Sequence, residues 1–253
     1  MNIVFIGSGN VATHLAKALY ASGHTVMQVF SRQLTHAKEL ADQVAASAVS
    51  DLDLLTRQAD LYIISVKDDA LLTVAAAMPD VEGRVVHTAG SVAMDVLSRF
   101  KQHGVFYPFQ TFTKQRATDF KQIPILVEAS DMASVHSLLE LAHSLSETVL
   151  EASSKQRGDL HIAAVFACNF VNQMYRVAEE TLEASALPFD LLKPLIAETA
   201  QKIMALSPAQ TQTGPAARND QDVINKHLDA LAHQPELQNL YRVLTDSISR
   251  RSK

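Results

Sequence analysis

The chain has 253 residues, a hydrophobic fraction of 47%, and 22 basic against 27 acidic side chains, a formal net charge of -5. That length is large for one compact domain and comfortable for two of ordinary size. Neither sign of charge is gathered into a block, which argues against a nucleic-acid surface, and no apolar run approaches the length of a membrane span. The one cysteine excludes an intrachain disulfide and fits a reducing compartment.

Residues 1–6 read as a strand rather than a secretory leader, because the chain enters a glycine turn at once, and the expected location is the cytoplasm. The turn is Gly7-Ser8-Gly9-Asn10-Val11-Ala12, followed by helix-forming residues through 21. Strand, tight turn and helix in this order form the phosphate-gripping start of a dinucleotide-binding domain. Gly7 permits the turn and Gly9 lets the backbone approach a pyrophosphate. Ala12 lets the helix pack close to the sheet, and the helix N-terminus faces the phosphate charge.

Gly23 stops that helix and residues 25–30 read as the second strand, which closes on Phe30-Ser31-Arg32. An acidic residue at this place would bond the ribose hydroxyls of NAD. A hydroxyl followed by a guanidinium suits a 2′-phosphate, so NADP is favoured. Residues 35–44 and 52–58 read as helices, and residues 59–66 as a buried strand whose last residue, Val66, reaches the functional edge of a parallel sheet. Asp68 serves there either as a helix cap for residues 69–78 or as a ligand contact. A further strand, residues 84–86, leads into His87-Thr88-Ala89-Gly90-Ser91, a polar loop at the same edge. Residues 104–106 form another short strand, followed by Tyr107-Pro108-Phe109-Gln110-Thr111-Phe112, which either walls a pocket or covers the sheet. Strand 123–127, helix 131–144 and strand 147–150 complete a Rossmann-like, mostly parallel sheet with helices on both faces over residues 1–150.

From residue 151 the strand signal ends. Helices are predicted over 156–184, 189–206, 219–232 and 236–249, with Pro188, Pro208 and Pro235 at the breaks. In the first of them His161, Val165, Cys168 and Asn172 share a stripe at about 100° per residue, with Asn169 close by. So apolar a run is expected to be buried nearly all round, leaving His161, Asn169 and Asn172 to bond either a substrate or one another. Cys168 reads as a small core residue. In the loop 212–220, Asn219 or Asp220 caps the following helix, while Thr213 and Arg218 are left for a substrate carboxylate or a salt bridge. The short basic tail, Arg250-Arg251-Ser252-Lys253, reads as a solvated end.

The glycine turn, the His87–Ser91 loop, the Tyr107–Phe112 segment, His161–Phe170 and Thr213–Asp220 together resemble one family. It comprises bacterial two-domain proteins with a Rossmann-like NAD(P)-binding domain and a C-terminal helical domain of unknown function. They are related to the 6-phosphogluconate dehydrogenase-like and pyrroline-5-carboxylate reductase-like oxidoreductases. The resemblance covers nearly the whole chain and implies an NADP-dependent oxidoreductase, dimeric through the helical domain. The chain departs from the family pattern at Tyr107, where histidine commonly precedes the proline, at Asn219, where glycine is commoner, and at Lys67, where proline is frequent.

The expected chemistry is hydride transfer between NADP and a small carbonyl, imine or hydroxy acid. His161 serves as proton donor or acceptor, Asn169 and Ser91 orient the substrate oxygen, and Arg218 holds a carboxylate. The cofactor set is Gly7, Ser8, Gly9, Asn10, Val11, Ala12, Ser31, Arg32 and Val66, and no metal site is expected. The competing reading is an NADP-binding regulator without turnover.

Overall fold

The computed structural model describes residues 1–251, so Ser252 and Lys253 of the basic tail lie outside the described residues. The chain divides into two compact units, Met1–Asn172 and a second that begins at Gln173. The first unit thus runs past residue 150 and takes with it the helix that carries His161.

Eight strands form one sheet in the order β3-β2-β1-β4-β5-β6-β7-β8. They span Asn2–Ile6 (β1), Thr25–Phe30 (β2), Ser47–Val49 (β3), Leu61–Ile64 (β4), Arg84–His87 (β5), His103–Pro108 (β6), Ile125–Ala129 (β7) and Val149–Glu151 (β8). Four helices of eight or more residues cover it: Asn10–Ala21 (α1), Leu34–Ala41 (α2), Asp68–Ala77 (α3) and Met132–Leu145 (α4). All neighbouring strands are parallel except β6 and β7, which pair antiparallel with Phe106 opposite Val127. The sheet is therefore the mostly parallel one expected, with one reversal that hydrophobic periodicity does not reveal.

Strand β1 shows why the sequence folds this way. Ile3 and Phe5 enter one core cluster with Leu15 and Leu19 of α1, while Val4 and Ile6 enter the other with Ile64 and Leu71. A strand buried on both faces reads as a continuous apolar run, which is what residues 3–6 are. Each such side chain contributes about 1.5–3 kcal/mol by leaving water. Because β1 pairs with both β2 and β4, the chain changes direction across the sheet at β1. The crevice at that point, outside the strand ends, is where open α/β sheets bind ligands.

After β8 a continuous helical stretch runs through Ser154–Ala164 (α5), a π-helical segment Val165–Phe170 and Val171–Glu183 (α6). Ser153 and Gln156 form a capping box at its start. The π segment changes the helical phase, so the stripe projected from His161 to Asn172 does not continue past Val165. Nor is the run buried within the chain. Ile162, Phe166 and Phe170 are 59%, 64% and 50% exposed, and Cys168 is exposed rather than a core residue.

In the second unit, Lys193–Ala205 (α7), Pro208–Thr211 (α8), Gln221–Ala230 (α9) and Pro235–Arg251 (α10) follow one another with the prolines at the expected breaks. Asp220 caps α9 by accepting from the Val223 N–H at 3.3 Å. Asn219 takes φ 56°, the left-handed region that glycine enters most easily. Ser249 ties α10 back to the Ala216 carbonyl at 3.2 Å.

Candidate active site

The crevice is built first at the end of β1. Gly7 has φ +121°, and a Cβ there would meet the Ser65 carbonyl oxygen at 2.1 Å, so no other residue fits. This close approach joins the ends of β1 and β4 and sets half-buried Val66 beside the turn. Gly9 stands at the N-cap of α1 and makes no side-chain cap. A Cβ built on it meets nothing within 4 Å, so the space over it is open. The first-turn N–H groups of α1 are thus left to an outside acceptor, which fits a diphosphate. Of the expected cofactor residues Ser8, Asn10 and Val11 line this turn, and Ala12 is buried beneath it. The Asn10 side chain, however, donates to the Phe112 carbonyl at 2.9 Å and so holds a neighbouring loop. Ser31 and Arg32 follow β2 at the same edge. Arg32 is exposed and, among the described residues, forms no ion pair, which leaves its guanidinium free for a 2′-phosphate.

The second part of the site is the loop after β5. Thr88 donates from its hydroxyl to that of Ser65 at 3.0 Å. His87 Nδ1 accepts from the Ala89 N–H at 3.1 Å, and Ser91 donates from its hydroxyl to Asp68. Asp68 is the first residue of α3, whose N-cap position is taken by Lys67, and its carboxylate accepts the Ser91 hydroxyl. Burial, then the positive charge of Arg157, lowers the His87 pKa from 6.5 to about 4, and its Nε2 is buried without a hydrogen-bond partner.

Sequence reading missed the residue that holds this loop. Arg157, one turn into α5, is fully buried. It donates to the Ala89 carbonyl at 3.2 Å, to the Val92 carbonyl at 2.6 Å and to the Glu128 carboxylate at 2.5 Å. Desolvation alone would raise the Glu128 carboxyl, but bonds from Arg157 and Ser154 outweigh it and hold the group below its ordinary range. One hint was available: an arginine inside a helix start with no acidic residue four positions away on either side.

Arg157 and His161 are four residues apart and share a helix face. His161 is half-buried, with Nδ1 3.2 Å from the Tyr107 hydroxyl at the end of β6. Burial pushes the Tyr107 phenol above its ordinary value, so it stays protonated near neutrality. Gly90 lies against both residues. A Cβ there would come within 2.7 Å of His161 Nδ1 and 2.7 Å of the Tyr107 hydroxyl. The structure therefore gathers His161, Tyr107 and the Gly90–Ser91 backbone at the sheet edge. Asn169 is exposed in the π segment and Arg218 is exposed in the second unit, where its N–H donates to the Gly214 carbonyl at 3.3 Å. Among the described residues no group of three or more His, Cys, Asp or Glu side chains could hold a metal. Nor is any described helix long and apolar enough to cross a membrane.

His87 makes the fold sensitive to acid. Its folded pKa of about 4 lies below the unfolded 6.5, so its contribution is present above pH 6.5 and is lost as pH falls through the folded value. From this residue alone the first unit should be about 2 kcal/mol less stable at pH 5 than at pH 7. Urea unfolding of His87→Leu, which cannot charge, should show a pH dependence smaller by that amount. An unchanged slope would mean that His87 does not titrate in this way. Glu128 acts in the same direction, but only below its ordinary 4.5.

Comparison with known proteins adds to this geometry. Residues 2–105 match the family described as NADP oxidoreductase coenzyme F420-dependent, and residues 123–248 match a domain of unknown function, DUF2520. A solved protein from Bacteroides fragilis, described as a "putative NADP oxidoreductase", is 47% identical over 98% of both chains, with a TM-score of 0.91. A 1-pyrroline-5-carboxylate reductase from Streptococcus pyogenes shares the fold at 16% identity, covering 99% of this chain and 98% of its own, with a TM-score of 0.64. So does a reductive aminase from Aspergillus terreus, solved with NADPH and ethyl-5-oxohexanoate, at 18% identity, 98% and 93% coverage and a TM-score of 0.71. No curated protein matches the chain.

Proposed function

Because the chain belongs to the family of NADP oxidoreductases in which a DUF2520 domain follows the nucleotide-binding domain, we propose that it passes a hydride between NADP and a small carbonyl, imine or hydroxy acid. The observation that carries this reading is the meeting of His161, Tyr107 and Gly90 at the edge that also holds the glycine turn. NADP supplies the hydride chemistry when bound. The chain supplies the rest. The open turn Gly7–Ala12 takes the diphosphate, and Ser31 with Arg32 takes the 2′-phosphate. Ser91, whose hydroxyl proton goes to Asp68, orients the substrate by accepting from its hydroxyl or N–H, and Asn169 lies on the same helical stretch as a second polar contact.

His161 gives the proton that the substrate heteroatom needs as its carbon is reduced, and recovers it in the reverse direction. With Nδ1 engaged by Tyr107, Nε2 is the nitrogen left for this work. Tyr107 holds the ring without itself ionising, since its phenol is raised well clear of neutrality.

The test is direct. The chain has no tryptophan, so emission of bound NADPH is read against little background. Saturable binding at micromolar protein is expected, followed by NADPH oxidation with some member of a panel of cyclic imines, ketones with amines, and 2-oxo acids. Binding without oxidation across the panel would favour a nucleotide-binding regulator. Absence of binding would remove both readings.

The exposed Ile162, Phe166 and Phe170 support a second copy of the chain as partner, with sedimentation expected at twice the 27.6 kDa mass. A cytoplasmic location fits the unpaired cysteine.

A further inference from the structure

Strands β6 and β7 are antiparallel neighbours, and such pairs are commonly joined by two to five residues. Here the connection from Phe109 to Pro124 is far longer, and it is bound to α1. Asn10 Nδ2 donates to the Phe112 carbonyl at 2.9 Å, and His14 Nε2 lies 3.1 Å from the Thr113 carbonyl. The His14 and Phe112 rings stack with centroids 5.2 Å apart, and Phe112 stacks in turn on buried Phe120 at 5.9 Å. These contacts fix the loop backbone to the first turns of the helix whose open N-terminus suits a diphosphate.

Lys114 follows Thr113 directly, and the Arg116 N–H returns to the Thr113 carbonyl at 3.1 Å. Both cations are exposed, and among the described residues neither enters an ion pair. The glycine turn itself has no such charge, since no lysine or arginine occurs before Lys17. A helix N-terminus offers only about half an elementary charge. The diphosphate of NADP carries about two negative charges, so most of its charge is left for groups outside the turn.

We propose that Lys114 and Arg116 form a second phosphate-binding element for the diphosphate of NADP, carried by the β6–β7 loop and held over α1 by Asn10, His14 and Phe112. The inference rests on the NADP reading above. It assigns to the loop the diphosphate, which all pyridine dinucleotides share, and leaves the 2′-phosphate to Arg32.

Fluorescence titration with NADPH and with NADH tests this division. In Lys114→Ala/Arg116→Ala both dissociation constants should rise by the same factor, about tenfold, with a shallower dependence on salt. Arg32→Ala should instead weaken NADPH alone. Phe112→Ala keeps both charges but frees the loop, and should reproduce the double variant's loss. Both loop cations are exposed, so thermal unfolding of the double variant should match the parent. Wild-type affinity for both nucleotides in the double variant would overturn the proposal and leave the cofactor reading intact. A loss confined to NADPH would also overturn it, since the loop would then read the 2′-phosphate. Failure of the unaltered protein to bind either nucleotide would remove the cofactor reading itself, and the proposal with it.

Discussion

Replacing His161 by glutamine should slow NADPH-dependent reduction by about 10²–10⁴-fold, the range of a lost general acid–base group. NADPH affinity should change by no more than about twofold, because the residue lies outside the phosphate turn. The melting temperature should also hold, since a glutamine amide can still bond the Tyr107 hydroxyl and the site is only half-buried. A histidine that merely filled the core would behave in the opposite way. If the variant melts about 10 °C lower both with and without NADPH, the residue is structural first. Gly90→Ala probes the same place by geometry alone. Its Cβ would meet the His161 ring and the Tyr107 phenol at 2.7 Å, so both must move. A misplacement of about 1 Å is enough to cost roughly 10²-fold in turnover. Turnover unchanged in Gly90→Ala would place the reacting atoms elsewhere.

The largest effect on stability is expected at Arg157. Its side chain is 1% exposed, so the guanidinium cannot turn to water, and Glu128 at 18% is only partly hydrated when its partner is removed. Arg157→Ala leaves the Ala89 and Val92 carbonyls without this donor and the Glu128 carboxylate with only its Ser154 bonds, its positive partner gone. Breaking such a pair costs about 3–5 kcal/mol, which for a domain of this size lowers the melting temperature by roughly 10 °C. Removing both charges together, as Arg157→Met with Glu128→Gln, should recover much of that loss, because no uncompensated ion remains. Since Arg157 sits one turn before His161 on the same helix face, the single variant should also lose turnover beyond its loss of stability. A denaturant midpoint for Arg157→Ala close to the parent's would show that the pair contributes little.

Sequence alone carried the parts of this fold that are local. Gly7 and Gly9 between an apolar run and a helix-forming run specify the turn, and the prolines at 188, 208 and 235 mark breaks that the structure shares. The direction of β7 was not legible, because a strand's side-chain period is the same whichever way the chain runs. The π segment was hidden for a similar reason. Its residues include no glycine or proline to mark a break, and the phase change appears only in the hydrogen bonds. Arg157 looked like any solvated arginine because its partners, Ala89 and Glu128, are 68 and 29 residues away. The expectation that His161–Phe170 is buried nearly all round rested on composition, and the structure does not bear it out. Within one chain its large side chains remain exposed.

The reversal between β6 and β7 has a consequence for how the sequence can vary. A connection between strands that are already paired has no fixed distance to span, and lengthening a loop twofold costs only about 0.6 kcal/mol in closure entropy. The crossovers through α1 and α3 lack that freedom, since each must carry its helix over the sheet to a parallel neighbour. Residues can therefore be added to or removed from the segment between Phe112 and Phe120 without disturbing the ladder on either side. The stretch that carries Lys114 and Arg116 is where related chains can differ in length while keeping the same sheet.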